Sequence, residues 1–100
     1  MPDSEKSSRM NNYFIERAFL IKNELGVHAR AAALFVKTAN KFKSRITVKR
    51  NNYEVNGKSI MGLLTLAASK GMKIIVRAEG EDAEEAIESI GNLIENNFYE

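Results

Sequence analysis

Apolar residues recur in this sequence with two different periods, and the alternation between them constrains the fold more than any other feature. The stretch "SRITVKR" (44–50) has an apolar residue at every second position, which is typical of a strand with one buried face. The stretch "EDAEEAIESIGNLIENNF" (81–98) spaces apolar residues three and four apart, which is typical of a helix with one apolar stripe. Because such elements are apolar on one side only, they favour a sheet whose single buried face is covered by helices.

The two periods alternate in the order β-α-β-β-α-β-α. Strands are predicted at 13–22, 44–50, 53–56 and 72–80, and helices at 28–42, 57–71 and 81–98. We therefore expect an α+β fold, an open-faced β-sandwich in which a four-stranded antiparallel sheet is covered on one face by three helices. Residues 12–100 are predicted to form this single domain. Residues 1–11 are polar and are predicted to be a disordered N-terminal tail.

Each predicted helix has a face that should pack on the sheet. The core-facing residues, helix by helix, are Ala32, Phe35, Val36 and Ala39; Leu63, Leu66 and Ala67; and Ala83, Ala86, Ile87, Ile90, Ile94 and Phe98. Asp82, with Glu85 three residues later, predicts an N-cap and its capping-box partner. Gly91 lies inside the last helix, where glycine costs about 1 kcal/mol relative to alanine.

Composition excludes several classes of site. The chain has no cysteine and one histidine, which rules out disulfides, thiolate nucleophiles, zinc–sulfur sites and a multi-imidazole metal centre. We therefore predict no metal and no cofactor. No apolar run approaches the roughly 20 residues that span a bilayer, and the first residues lack the apolar core of a secretory signal. These features predict a cytoplasmic protein that does not insert into membranes.

Charge is unevenly distributed although the formal net charge is only +2. Residues 37–58 contain seven basic residues and one acid, whereas residues 79–100 contain eight acids and no base. This asymmetry can steer acidic partners to one face, although a run of like charges is more often simply a solvated surface. Nucleic-acid binding is the weaker hypothesis, because the predicted middle strands offer only Tyr53 for base stacking. We predict no nucleic-acid partner.

The single histidine, in "GVHARAA" (26–32), lies where the first helix begins. A helix N-terminus has unpaired N–H groups and the positive end of the helix dipole, so it favours an anion such as phosphate. Arg30 can turn back towards His28 and offer a two-pronged hydrogen-bond donor to phosphate oxygens. The group suits phosphoryl transfer, with His28 as nucleophile. A histidine at a helix start is also commonly a cap or surface residue, and both interpretations stay open on these residues alone.

A second helix start carries an apolar surface. In "GKSIMGLL" (57–64), Ser59 is well placed as an N-cap. If the core face is as predicted, Ile60, Met61 and Leu64 lie on the opposite side and leave an apolar patch, which Ala29 and Ala33 of the first helix could extend. We interpret this patch as a protein-docking surface, with self-association or core packing as the alternatives. A phosphate on Ser59 would add negative charge beside it and could switch docking off.

The stretches "NELGVHAR", "KSIMGLLTLAASKG" and "AEGEDAEEAIESI" carry a family resemblance. From about Tyr13 to Leu93 the sequence resembles HPr, the histidine-containing phosphocarrier family of the bacterial phosphoenolpyruvate-dependent phosphotransferase system. Family members usually have a proline after the arginine, whereas this chain has Ala31. Alanine is a good helix former, so the helix should persist, with a less rigid loop before it.

The resemblance implies a carrier rather than an enzyme. His28 would accept a phosphoryl group from Enzyme I and pass it to EIIA-type proteins, with Arg30 assisting. Ser59 would be the site modified by HPr kinase/phosphorylase, and a transcriptional regulator would be a further partner. We predict a monomer. The alternative is a regulatory interaction module, in a nitrogen-type or catabolite-control branch of the system, with little role in sugar uptake.

Overall fold

Four strands and three helices alternate along the computed structural model, which describes residues 14–100. The strands are β1 (Phe14–Leu20), β2 (Arg45–Arg50), β3 (Tyr53–Asn56) and β4 (Lys73–Glu79). The helices are α1 (Ala29–Ala39), α2 (Ile60–Leu66) and α3 (Ala83–Glu95). The predicted order of elements is confirmed. The tail predicted at 1–11 lies outside the described residues.

The strands form one antiparallel sheet in the order β1-β4-β2-β3. Val48 of β2 lies opposite Val76 of β4 on one side and Val55 of β3 on the other. The alternation predicted for β2 is confirmed, since Ile46 and Val48 are buried. Because the side chains of a strand alternate between faces, burial at every second position gives the sheet one covered face.

All three helices lie over that covered face. Helix α3 packs on β1 and β4, α2 packs on β3 and β2, and α1 contacts both of the other helices. The open-faced α+β sandwich is therefore confirmed. Within residues 14–100, no helix is long and apolar enough to cross a membrane.

The predicted core faces of α1 and α3 are confirmed with small additions. In α1, Ala32, Phe35 and Ala39 are buried, Val36 is half-buried, and Ala31 is buried as well. The helix runs through Ala31 as expected for an alanine at this position. In α3, the buried stripe includes Ala83, Ala86, Ile87, Ile90 and Ile94.

The capping box predicted at the start of α3 is wrong. Asp82 occupies the N-cap, but within the described chain its side chain makes no capping hydrogen bond. Its carboxylate instead accepts hydrogen bonds from the backbone N–H groups of Lys43 and Ser44, at 2.8 and 3.0 Å, and from the Ser44 hydroxyl. These bonds, led by that from the hydroxyl, hold the pKa of Asp82 below its usual value. The Asp82 carboxylate therefore binds a loop 38 residues away in sequence and not the first N–H groups of α3.

Helix α2 is shorter than predicted, and one of its core assignments is wrong. Leu63 and Leu66 are buried as expected, but Ala67 is exposed. Ala67 ends the helix in a left-handed conformation, with φ of 53°. The chain therefore turns away at Ala67, and Ala68 takes the buried position that continues the core.

The last helix also ends earlier than its apolar period suggests. Helix α3 stops at Glu95, and Asn97, Phe98 and Tyr99 have left-handed φ angles of 57°, 54° and 55°. We call Asn97–Tyr99 the closing turn. Phe98 is nevertheless fully buried, so its assignment to the core is confirmed while its assignment to the helix is wrong.

Gly91 has a packing role that its position in a helix does not reveal. A Cβ atom built on Gly91 would lie 3.0 Å from one ring carbon of Phe19 and 3.1 Å from another. The absence of a side chain thus lets α3 approach the Phe19 ring of β1 closely. The cost of glycine in the helix is offset by this contact.

Candidate functional site

A tight turn positions His28 at the start of α1. Gly26 has φ of 66°, and a Cβ atom on it would lie only 2.6 Å from the carbonyl oxygen of Ala68. The N–H group of Val27 donates to that same oxygen at 2.9 Å. Only glycine combines this left-handed conformation with such close backbone approach. The loop before His28 is therefore fixed against the segment that follows α2.

His28 is the N-cap residue of α1, but its side chain does not cap the helix. Its backbone is extended, with φ of −88° and ψ of −176°, and its carbonyl accepts from the N–H of Ala32 at 2.8 Å. The ring forms no capping hydrogen bond within the described part of the chain, and the residue is half-buried. Helix formation leaves the first N–H groups of α1 without intrahelical acceptors. An imidazole beside these donors can hold a phosphoryl group whose oxygens the helix end stabilises.

The Arg30 guanidinium contacts the closing turn. Its two terminal nitrogens donate to the carbonyl oxygen of Phe98, at 3.2 and 3.4 Å, and one of them also donates to that of Tyr99, at 3.2 Å. The residue is exposed. Arg30 is therefore anchored within two residues of His28, but by neutral carbonyl groups. An anion bound at His28 would compete with these carbonyls, because hydrogen bonds between charged groups are the stronger ones.

Ser59 caps α2, as the sequence predicts. Its hydroxyl oxygen accepts a hydrogen bond from the N–H group of Gly62 at 2.9 Å. Ser59 and Ala68 flank opposite ends of α2, which at seven residues is roughly 10 Å long. The helix therefore separates Ser59 from the segment that supports the His28 loop.

The predicted apolar patch is exposed in most of its members. Met61 and Ile60 are 69% and 41% exposed, and Ala29 and Ala33 are exposed on α1. Leu64 is half-buried and packs against the core, so it contributes only part of its side chain to the surface. We call the surface formed by Ala29, Ala33, Ile60, Met61 and Leu64 the apolar patch. The two helices that carry these residues, α1 and α2, contact each other.

Two residues near His28 were not found from the sequence. Asn23 is only 4% exposed, and its side-chain amide donates to the Gly26 carbonyl at 2.8 Å and to a Glu100 carboxylate oxygen at 2.6 Å. The other Glu100 oxygen accepts from the N–H group of Leu25 at 3.4 Å. The sequence contains one local signal for the chain reversal that brings Glu100 to this loop. This signal is the pair Asn96 and Asn97, since asparagine tolerates left-handed backbone. It predicts a reversal of the chain, but not its destination.

The left-handed backbone of the closing turn is unfavourable in free energy, and the contacts of the turn offset this cost. Left-handed backbone costs residues other than glycine roughly 1–2 kcal/mol each. Burial of the Phe98 side chain, together with the hydrogen bonds from Arg30, fixes the turn beside the His28 loop. Strained backbone of this kind persists where the surrounding structure holds it in place.

One ion pair lies on the surface of the same loop. Lys70 donates to a carboxylate oxygen of Glu24 at 2.5 Å, and both side chains are largely exposed. This hydrogen bond, and the charge of the Lys70 ammonium, hold the pKa of Glu24 below its usual value. Because exposed pairs contribute little to stability, we attribute the shape of the loop to Gly26 and Asn23 rather than to Glu24.

Comparison with known proteins identifies relatives across nearly the whole described chain. A family model described as "PTS HPr component phosphorylation site" matches residues 15–96. The phosphocarrier protein HPr of Xylella fastidiosa strain 9a5c is 46% identical over 86 residues, which cover 86% of this chain and 97% of that protein.

Solved structures show the same fold. The crystal structure of HPr-C-His from Thermoanaerobacter tengcongensis superposes with a TM-score of 0.83 at 51% identity, covering 86% of this chain and 97% of the other. Crh, the catabolite-repression protein of Bacillus subtilis, matches with a TM-score of 0.68 at 37% identity, covering 83% of this chain and 95% of the other. That Crh structure is described as a dimer with a swapped domain.

Proposed function

The chain belongs to the HPr family of phosphotransferase-system phosphocarriers, and we propose that His28 accepts a phosphoryl group from Enzyme I and passes it to an EIIA-type protein. The observation that carries the proposal is the position of His28, the chain's single histidine, at the N-cap of α1 with a ring that does not cap the helix. A partly exposed ring can receive a group from one protein and release it to another.

The transfer is a balanced exchange of one bond for another. An unprotonated ring nitrogen of His28 attacks the phosphorus, and a P–N bond forms while the bond from phosphorus to the donor atom breaks. The electron pair of the broken bond stays with the donor, and nothing is oxidised or reduced. The acceptor repeats the same step on phosphorylated His28. The protein thus acts as a covalent intermediate rather than as an enzyme.

Arg30 supports the phosphorylated state by changing partners. In the structure it donates to the carbonyl oxygens of Phe98 and Tyr99. A phosphoryl group on His28 presents charged oxygens within two residues of Arg30, and a guanidinium binds such oxygens through paired hydrogen bonds. Arg30 then exchanges neutral acceptors for charged ones while the N–H groups at the start of α1 contact the remaining oxygens.

Docking and regulation use the apolar patch and Ser59. Exposed Met61 gives the patch an adaptable contact that can suit several partners, which here are Enzyme I and EIIA-type proteins. Phosphorylation of Ser59 by HPr kinase/phosphorylase adds roughly −1.5 to −2 charges next to Ile60 and Met61. The added charge weakens docking to these partners and offers a feature that a transcriptional regulator can recognise.

The direct test is a two-stage labelling experiment. The protein is incubated with Enzyme I and phosphoenolpyruvate carrying labelled phosphate, and an EIIA-type protein is then added. We expect an acid-labile, base-stable phosphate on this chain in the first stage and its loss to the acceptor in the second. Failure to label would overturn the proposal. If the acceptor cannot remove the label, the protein is phosphorylated but does not pass the phosphoryl group on, and the proposed carrier role is wrong.

A second candidate function is regulatory, and the likeness to Crh favours it. In this hypothesis the protein acts by binding a regulator through the apolar patch and Ser59, and transfer at His28 is slow. The distinguishing measurement is binding of the regulator by a His28→Ala variant. Full binding together with unchanged growth on sugars would support this candidate over the first. We expect a monomer in solution, which sedimentation equilibrium tests against the dimer described for Crh.

A further inference from the structure

We propose that Asn23 and Glu100 are positioning residues for phosphoryl transfer at His28, an inference that rests on the proposed function. The two side chains are 77 residues apart in sequence and are joined by a hydrogen bond of 2.6 Å beside the loop that carries the histidine. Neither residue contacts the reacting atoms in this arrangement. They act through the backbone of the loop.

The hydrogen bonds form a continuous connection from Glu100 to His28. The Asn23 amide nitrogen donates one hydrogen to Glu100 and the other to the carbonyl oxygen of Gly26, at 2.8 Å. That carbonyl also accepts from the backbone N–H group of His28 at 3.0 Å. The orientation of the Asn23 amide is required by these contacts, because the reverse orientation would bring its oxygen against two acceptor oxygens.

Glu100 braces the same loop at a second point. Its other carboxylate oxygen accepts from the N–H group of Leu25 at 3.4 Å. One carboxylate therefore bridges the side chain of Asn23 and the backbone at Leu25. This bridge spans the turn that ends in the left-handed Gly26.

The buried side chain of Asn23 does not satisfy all of its hydrogen-bonding groups. Among the residues that the structure describes, its side-chain oxygen is buried without a hydrogen-bond partner. A buried amide that leaves one acceptor unsatisfied is unfavourable for stability. Such a residue contributes little as a packing element, whereas its two donors define the geometry of the loop before His28.

The contacts of Glu100 are separate from those of Arg30. Arg30 binds the backbone of the closing turn at Phe98 and Tyr99, whereas Glu100 binds the loop through its side chain. When Arg30 moves to a phosphoryl group, the buried Phe98 ring keeps the closing turn in place and Glu100 keeps its hold on Asn23. The loop thereby retains its shape during the step in which Arg30 changes partners.

The test compares phosphorylation kinetics of Glu100→Ala, Asn23→Ala and the double variant with wild type. At saturating Enzyme I, each single variant should accept phosphoryl groups about tenfold more slowly, because a small displacement of a reacting group lowers rate steeply. The KM for Enzyme I should be unchanged, since the apolar patch is intact. The double variant should be slower than either single variant but by less than the product of the two effects, because both substitutions break the Asn23–Glu100 hydrogen bond and each also removes one contact of its own.

Two matched variants separate positioning from general effects. Glu24→Ala removes a carboxylate from the same loop but only a surface ion pair with Lys70, so its rate should stay within about twofold of wild type. Glu100→Gln keeps an oxygen that can accept from Asn23, and it should recover most of the lost rate. Thermal unfolding of each variant shows whether rate and stability change together.

The outcomes distinguish this inference from the function on which it rests. If wild type is not labelled by Enzyme I, the proposed function fails and the inference fails with it. If wild type is labelled and Glu100→Ala is labelled equally fast, only the inference is overturned. A loss that appears in KM alone, that Glu24→Ala reproduces, or that follows Tm across all variants would also overturn it.

Discussion

The starts of α1 and α2 place different demands on their N-cap side chains. At α2, the Ser59 hydroxyl accepts from the N–H group of Gly62 and completes the helix end. At α1, His28 occupies the equivalent position, and within the described residues its ring makes no such bond. Both helices cover the same face of the sheet and contribute to the same apolar patch.

Ser59 stabilises a helix end through its side chain, whereas the ring of His28, which caps nothing within the described residues, is the group that we propose to carry phosphate. Replacing Ser59 removes a hydrogen bond on which the helix depends, whereas replacing His28 removes a ring that contributes no cap. The open N–H groups at the start of α1 are the counterpart of the satisfied end of α2. We therefore expect substitution of Ser59 to lower stability more than transfer rate, and substitution of His28 to lower transfer rate more than stability.

The largest effect is expected from His28→Ala. Enzyme I should label this variant at least about a thousandfold more slowly than wild type, because the nucleophile is missing. Its free energy of unfolding should stay within about 0.5 kcal/mol of wild type, as for substitutions that remove no structural contact. Labelling kinetics and urea unfolding measure the two quantities. A variant that unfolds readily would show that the ring is structural after all.

Arg30→Ala should come next, with transfer about 100-fold slower, since it removes a donor to the charged phosphoryl oxygens. Single-turnover labelling by Enzyme I measures this loss. Lys37→Ala is the control, because it removes another cation from the last turn of the same helix and should leave the rate nearly unchanged. Equal losses in the two variants would mean that net charge matters rather than the position of Arg30.

Ser59→Asp adds charge at the start of α2 without removing the cap. Aspartate is a preferred N-cap residue, so α2 should keep its stability. The carboxylate next to Ile60 and Met61 should raise the KM for Enzyme I about tenfold through its effect on docking. Asn52→Asp, in the exposed turn between β2 and β3, adds the same charge elsewhere. If it raises KM equally, the position of Ser59 has no special role.

Ser59→Ala should show the reverse of His28→Ala. Loss of the capping hydrogen bond should lower the free energy of unfolding by about 1 kcal/mol, while Enzyme I labels the variant at the wild-type rate. Urea unfolding at neutral pH is the measurement. Unchanged stability would show that the hydroxyl does not cap α2 in solution.

Asp82, at the start of α3, should give the smallest effect, a dependence of stability on pH. Its folded pKa is lowered by hydrogen bonds from Ser44 and Lys43, so its contribution is present above the ordinary aspartate pKa of about 3.9. That contribution is lost as pH falls from there through the lower folded value. The free energy of unfolding, measured from about pH 5 downwards in steps of about half a pH unit, should depend less on pH in Asp82→Asn than in wild type. Identical pH dependence would exclude this role.

The local spacing of apolar residues was sufficient to predict most of the fold. The predictions that failed depend on contacts between residues far apart in the sequence. The stripes of α1 and α3 are one-sided over several turns, which fixes both element type and buried face. The capping box at Asp82 failed because donors at Lys43 and Ser44 compete for its carboxylate. No local spacing encodes a partner 38 residues away.

The same limit applies to the site. His28 and Arg30 became candidates because they are two residues apart and begin a helix. Asn23 and Glu100 did not, because 77 residues separate them and the closing turn reverses the chain after α3. The period of that helix predicts burial of Phe98 correctly, and it predicts the wrong backbone, since period alone does not reveal the hand of the turn.

We propose that the ring of His28 carries the phosphoryl group. The most direct measurement is ³¹P NMR of the protein after reaction with Enzyme I and phosphoenolpyruvate, combined with mass spectrometric mapping of the modified residue. We expect one phosphorus–nitrogen species on His28 that disappears in acid and persists in base. An acid-stable phosphate ester, or phosphate on any other residue, would contradict it.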